Sequence, residues 1–118
     1  MSAILDQARS LGNALARTDE YQAFRRAMRE ADDDREIAEL RSRLQKLEEV
    51  LGAEMRAGRE PDSEQVREYE AEAERLQANA TYQRLVAAQA NFDKVLQKVN
   101  ATIAQGMEEG AKSRIILT

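Results

Sequence analysis

Apolar residues recur along this chain at alternating intervals of three and four, and the pattern restarts at a few sharp points. Ile4, Ala8, Leu11 and Leu15 share one face, which predicts a helix from about Ala3 to Ala16. A second predicted helix sets Tyr21, Phe24, Met28 and Ala31 on one face and Arg25, Arg26 and Arg29 on another. Ile37, Leu40, Leu44, Leu47 and Leu51 then form a seam with a/d spacing, continued by Met55. It predicts a helix from about Asp34 to Ala57, roughly 36 Å long at 1.5 Å per residue. Val66, Tyr69, Ala73 and Leu76 repeat the spacing in a fourth helix. Tyr82, Leu85, Gln89, Phe92, Leu96, Val99 and Ile103 carry it through a fifth, expected to end near Gln105. Val86 and Val95 widen that last stripe, so it has width for more than one neighbour.

The restarts have their own chemistry. Thr18 is an N-cap residue followed by Asp19 and Glu20, acids that suit the positive end of a helix. In the run Ala31-Asp32-Asp33-Asp34-Arg35-Glu36, Asp33 and Glu36 have the spacing of a capping box, which predicts Asp33 as the cap of the third helix. A metal reading of the three aspartates is weaker. Consecutive helical residues point about 100° apart and do not converge on one ion, and no calcium-loop pattern is present. Gly58 is the expected left-handed residue after the third helix, with Pro61 close behind. Asp62 is expected to cap the fourth helix with Gln65 three residues on, so helices three and four should form an antiparallel hairpin. Asn79 caps the fifth, with Ala80 its first residue. Gly106 and Gly110 are expected to break it. The division that follows is a single all-helical domain over 1–109 and a C-terminal tail over 110–118. Gly110 to Arg114 is expected to be mobile, and Ile115 to Leu117 is left open. Gly12, beside the first stripe, either permits a close helix crossing or is a surface glycine costing about 1 kcal/mol against alanine.

Composition narrows the chemistry. The chain has 118 residues, 34% of them charged, with three tyrosines, two phenylalanines and no tryptophan, so its core rests on aliphatic side chains and is thin. Long helices with thin seams often complete their burial by oligomerising. No cysteine or histidine is present, which removes disulfides, thiolate clusters, the usual zinc sites and histidine general-base catalysis. No metal, cofactor or catalytic residue is therefore assigned. A net charge of −4 speaks against direct nucleic-acid binding, which wants a basic face. No segment approaches the roughly 20 apolar residues of a membrane span. Asp6 and Arg9 interrupt the apolar run that a signal peptide would need before Ala14-Leu15-Ala16, so a cytoplasmic location is expected.

The stretches from Leu11 to Gln65 and from Leu76 to Met107 resemble the YlbF/YmcA family, the group of small helical proteins that also contains YheA. The resemblance covers about residues 3–107. It is carried by Leu11-Gly12, by Tyr21 and Phe24, by the aspartate before the third helix, by Gly58 and Pro61, and by Ala88-Gln89 with Phe92. These are soft marks of helical punctuation. The family's Asn-Pro before the fifth helix stands here as Asn79-Ala80. The resemblance implies an all-helical fold that dimerises or forms higher oligomers. It also implies a non-catalytic role as partner of an endoribonuclease, with effects on competence, sporulation or biofilm formation. Some members ligate an iron–sulfur cluster through cysteines, and this chain has none to offer.

The functional expectation is an oligomeric regulatory or adaptor protein working through helix faces. Arg25, Arg26 and Arg29 are the candidate partner-binding surface, although such clusters are more often simply solvated. Leu85, Gln89, Phe92, Leu96, Val99 and Ile103 are the candidate subunit interface, with core packing as the alternative for the same stripe. A coiled-coil structural protein or chaperone-like holdase is the competing reading. An enzyme would need a carboxylate, Ser, Lys or Tyr site in an apolar setting, and no such setting is evident in the sequence.

Overall fold

The computed structural model describes the backbone of residues 2–117 and the side chains of residues 2–113. Five helices follow one another: α1 (Ser2–Ala16), α2 (Asp19–Asp33), α3 (Arg35–Arg56), α4 (Ser63–Ala78) and α5 (Ala80–Leu117). The described residues contain no strand. None of these helices is long and apolar enough to cross a membrane.

Single residues make two of the joints. Asp34 has extended dihedrals, donates its N–H to the Ala31 carbonyl and accepts the Ile37 N–H on Oδ1 at 3.0 Å. It therefore closes α2 and caps α3 at once. The predicted cap, Asp33, is instead the last residue of α2. Glu36 does not reach back to complete a capping box; its Oε1 accepts from Asn79 Nδ2 at 3.2 Å. Asn79 plays the same double role between α4 and α5. Its N–H bonds the Leu76 carbonyl and its Oδ1 accepts from Tyr82 N at 2.9 Å. The two joints thus lie side by side, linked by the Asn79–Glu36 bond. Thr18 caps α2 as predicted, accepting from Tyr21 N at 3.2 Å.

The α3–α4 hairpin is antiparallel, as expected. Gly58 has φ +75°, its N–H bonds the Met55 carbonyl and the Arg59 N–H bonds the Glu54 carbonyl, which is a Schellman ending. Only glycine adopts that dihedral cheaply. Gly58→Ala is expected to cost about 1–2 kcal/mol, read as a lower urea midpoint with an unchanged slope. Asp62 caps α4 through Glu64 N at 2.9 Å, but Gln65 does not close a box. Glu54, from the end of α3, takes the Asp62 N–H at 3.0 Å instead. Glu72 belongs to an α4 otherwise rich in exposed acids. It turns inward, its side chain 12% exposed, and pairs with Arg43 at 3.6 Å.

Tyr69 donates its phenol to Glu48 Oε1 across the hairpin at 3.0 Å. That bond, and then the Glu48 charge, raise the Tyr69 pKa above the usual tyrosine value. The contribution of the bond to folding is present below the unfolded value near 10 and is lost as pH rises through the higher folded one. Phenolate absorbance should show one tyrosine titrating late, and Glu48→Gln should bring it back to the ordinary range.

The core is small. Ala27, Ala31, Ile37, Leu40, Leu76 and Leu85 form it, with Phe24, Met28, Leu44, Tyr82 and Ala88 packed alongside. It gathers where α2, α3, α4 and α5 meet at the two aspartate and asparagine joints. α2 runs antiparallel to the first half of α5. Tyr21 and Phe24 meet Phe92 at one end, and Glu30 meets Arg84 at 3.8 Å at the other. The remaining length projects. The radius of gyration is 21.6 Å, against about 13–14 Å for a compact chain of this length, and the long axis reaches 67 Å.

The predicted end of α5 near Gln105 is corrected. The helix runs unbroken through Gly106 and Gly110 to Leu117. A glycine ends a helix when it takes a left-handed φ, and neither does; Gly58 is the glycine with positive φ. Each costs about 1 kcal/mol of propensity, which flanking Ala, Gln, Met, Glu and Lys sustain. The side chains of Ile115 to Leu117, and Thr118 altogether, lie outside the described residues.

Candidate docking face

α1 has an apolar stripe and buries none of its residues. Thr18 Oγ1 donates to the Leu15 carbonyl at 2.7 Å, and Gln22 Nε2 to the Ala16 carbonyl at 2.8 Å, so the α1–α2 joint is well bonded. Beyond that joint, Leu11 faces the distal half of α5 across an open cleft of about 310 Å³, lined also by Val95, Lys98, Val99, Thr102 and Ile103. Gly12 does not mark a close crossing within the chain, because a Cβ there meets nothing within 4 Å.

This face is apolar and nearly free of charge. Eight large hydrophobic side chains are exposed among the described residues, and Ile4, Leu5, Leu11, Ile103 and Met107 belong to these two segments. Met107 is 66% exposed and Ile4 61%. α1 carries one acid and one base, Asp6 and Arg9, and the stretch 99–107 carries no charge. In a chain that is 34% charged, such depletion is the compositional mark of an interface centre, where unpaired charges are costly to desolvate.

The six residues of the expected subunit interface divide along α5. Leu85 is buried in the core. Phe92 is half-buried, its ring edge-on to Tyr21 at 5.0 Å and stacked on Phe24 at 6.2 Å. Leu96 and Val99 are partly covered, while Gln89 and Ile103 are exposed. Ile4, Leu5 and Met107, which sequence reasoning did not place on this surface, belong with the exposed group. Ile4 was visible as part of the α1 stripe; Met107 was hidden behind the supposed break at Gly106.

Arg25, Arg26 and Arg29 all lie exposed on α2, and none makes an ion pair among the described residues. Arg26 borders a shallow alanine-lined recess between α2 and α5 that includes Glu30, Arg84 and Asn91. The three aspartates before α3 do separate work: Asp32 pairs with Arg41 at 3.9 Å, Asp33 ends α2 and Asp34 caps α3. No group of three or more acidic side chains among the described residues is placed to hold a metal ion. A larger recess of about 520 Å³ between α3 and α4 sets Glu36 and Glu39 against Arg43 and Arg75, a balanced and open arrangement.

The family model described as control of competence regulator ComK, YlbF/YmcA, matches residues 4–108. The UPF0342 protein SSP0954 of Staphylococcus saprophyticus is 24% identical over 106 residues, covering 90% of this chain and 93% of that protein. A chain in the crystal structure of Bacillus subtilis RicA in complex with RicF superposes with a TM-score of 0.83 at 18% identity. That match covers 93% of this chain and 97% of the other.

Proposed function

The chain belongs to the YlbF/YmcA family of helical regulatory proteins, and from that premise we propose that it is a non-catalytic, oligomeric adaptor of the cytoplasm. It binds other proteins through helix faces, and an RNA-processing endoribonuclease is the partner class the family suggests. The observation that carries this reading is the charge-poor apolar face of α1 and distal α5, whose Ile4, Leu5, Leu11, Ile103 and Met107 are exposed. RicA, which shares the fold, has been crystallised with RicF as its partner. Catalytic acids and bases are usually tuned by burial, and no polar or charged residue is buried among the described residues.

The test is an affinity pull-down with mass spectrometry from native cells, with sedimentation of the purified chain alongside. A defined stoichiometric ribonuclease complex supports the adaptor. A broad set of unfolded clients, captured through the same open cleft, supports the holdase instead. A monomer at tens of micromolar removes the oligomeric part of the proposal.

A further inference from the structure

We propose that the groove between α2 and the first half of α5 docks a helix of a different protein, one that carries carboxylates on both sides of a short apolar stripe. The inference rests on the adaptor reading above and gives it a second surface, opposite in character to the apolar face, and a partner of stated chemistry.

The first argument is charge. Arg26 lines a recess of about 340 Å³ between the two helices, together with Glu30, Arg84 and Asn91. Arg84, Asn91 and Lys98 are seven residues apart, so they follow one side of α5 with a drift of about 20° per step. Lys94 stands one turn before Lys98. Asp93, the acid of that stretch, is nine residues from Arg84 and lies half a turn round, on the opposite side. On α2, Arg29 flanks Arg26, and Asp19 precedes Arg26 by seven residues. The groove therefore gathers five exposed bases, Arg26, Arg29, Arg84, Lys94 and Lys98, against two acids, Asp19 and Glu30. It does so in a chain of net charge −4. Glu30 meets Arg84 at 3.8 Å with both side chains more than half exposed, so that pair holds little and opens readily. Arg26, Arg29, Lys94 and Lys98 make no ion pair among the described residues. The acidic α4, with Glu64, Glu68, Glu70 and Glu74 exposed, repels the same partner and steers it toward the groove.

The second argument is shape. Between those charges the recess is floored by Ala23, Ala27, Ala87 and Ala88, whose methyl groups leave depth for a larger apolar side chain from outside. α2 has 15 residues, about 22 Å, and Arg84 to Lys98 spans about 21 Å, so the groove takes roughly four turns of a third helix. A contact of that size is smaller than a standard interface and suits a transient partner, with the charges setting encounter rate and register. A nucleic-acid strand fits less well. No aromatic ring lines the recess for a base to stack on, and Asp19 and Glu30 interrupt the line of bases. A second copy also fits less well. Its acidic helix is α4, where Leu76 is buried and Val66, Tyr69 and Ala73 are half-buried, so the apolar stripe of that helix is already engaged in its own hairpin.

The experiment places a photo-cross-linking residue at Asn91 on the groove, at Ile103 on the apolar face and at Val50 on the hairpin, in the full chain in native cells, and sequences the captured peptides. The expected result at Asn91 is one peptide of a different protein, rich in aspartate and glutamate around a few apolar residues, that is not captured at Val50. Arg26→Glu combined with Lys98→Glu should cut that capture at least about tenfold with helix content unchanged by circular dichroism, and the charge-preserving Arg26→Lys should retain it. The captured peptide, synthesised, should bind the wild-type chain with an affinity that falls as salt rises. If the double charge reversal fails to fold, the sequence of the captured peptide and its salt dependence decide. Capture at Asn91 of RNA, of a second copy or of a peptide without acidic character would overturn the inference, as would capture that survives charge reversal. A defined protein captured at Ile103 with none at Asn91 would overturn the inference alone and leave the adaptor reading standing. No protein captured at either position would overturn both.

Discussion

Ile37→Ala is expected to cost the fold about 3–4 kcal/mol, within the range for emptying a fully buried aliphatic site. Ile37 has no exposed surface, and its neighbours in the core come from all four helices that meet there: Ala27 and Ala31, Leu40, Leu76, and Leu85. These residues are held by two rigid joints, Asp34 and Asn79, which leave the cavity little freedom to collapse. A chain of this length has a total stability of roughly 6–18 kcal/mol, so one truncation removes a large share. Urea denaturation should show the midpoint fall sharply while the slope stays constant. Val50→Ala, at an exposed position of the same helix, should change stability by under about 1 kcal/mol. Both should be measured at several protein concentrations, because self-association adds a concentration-dependent contribution to the apparent stability.

The helix plan was legible because most of its punctuation is local. Thr18, Gly58, Asp62 and Asn79 act within three or four residues of their own positions, and each does what its residue type favours. The α2–α3 joint was misplaced by one residue because three successive aspartates can all cap a helix. The choice among them was settled by α2, which continues helically through Asp33 before the chain turns. The capping-box pattern gave Glu36 and Gln65 partners that tertiary contacts reassigned, to Asn79 for the first and to Glu54 in place of the second. The end of α5 was misread for a related reason: glycine lowers helix propensity, but it terminates a helix only when something rewards a left-handed turn, as at Gly58.

The candidate docking face was half legible. The seven positions from Tyr82 to Ile103 have one uninterrupted spacing, so periodicity alone cannot say which of them meet the same chain. What divides them is the length of α2. Where α2 faces α5, the apolar seam residues Leu85 and Phe92 are covered and Gln89 is exposed at the edge; beyond α2 the same seam opens progressively, from Val99 to Ile103. That is a fact about two helices laid side by side, and a pattern along one of them does not contain it.

Phe92→Ala tests where that boundary falls. Phe92 is the last large residue of the seam that α2 covers, with Tyr21 edge-on and Phe24 stacked against its ring. If it is intrachain packing, its removal should cost about 3 kcal/mol, by the same amount at every protein concentration. A double-mutant cycle with Phe24→Ala should give a coupling of about 0.5–1.5 kcal/mol, the usual worth of an aromatic pair beyond its buried area. A residue acting only between subunits would behave differently. Its removal would weaken self-association, its apparent cost would fade at low concentration where the chain is already dissociated, and it would show no coupling to Phe24. Ile103, 47% exposed and three turns further along α5, should show the second behaviour. Measured together, the two substitutions locate the point on α5 where folding of one chain ends and assembly begins.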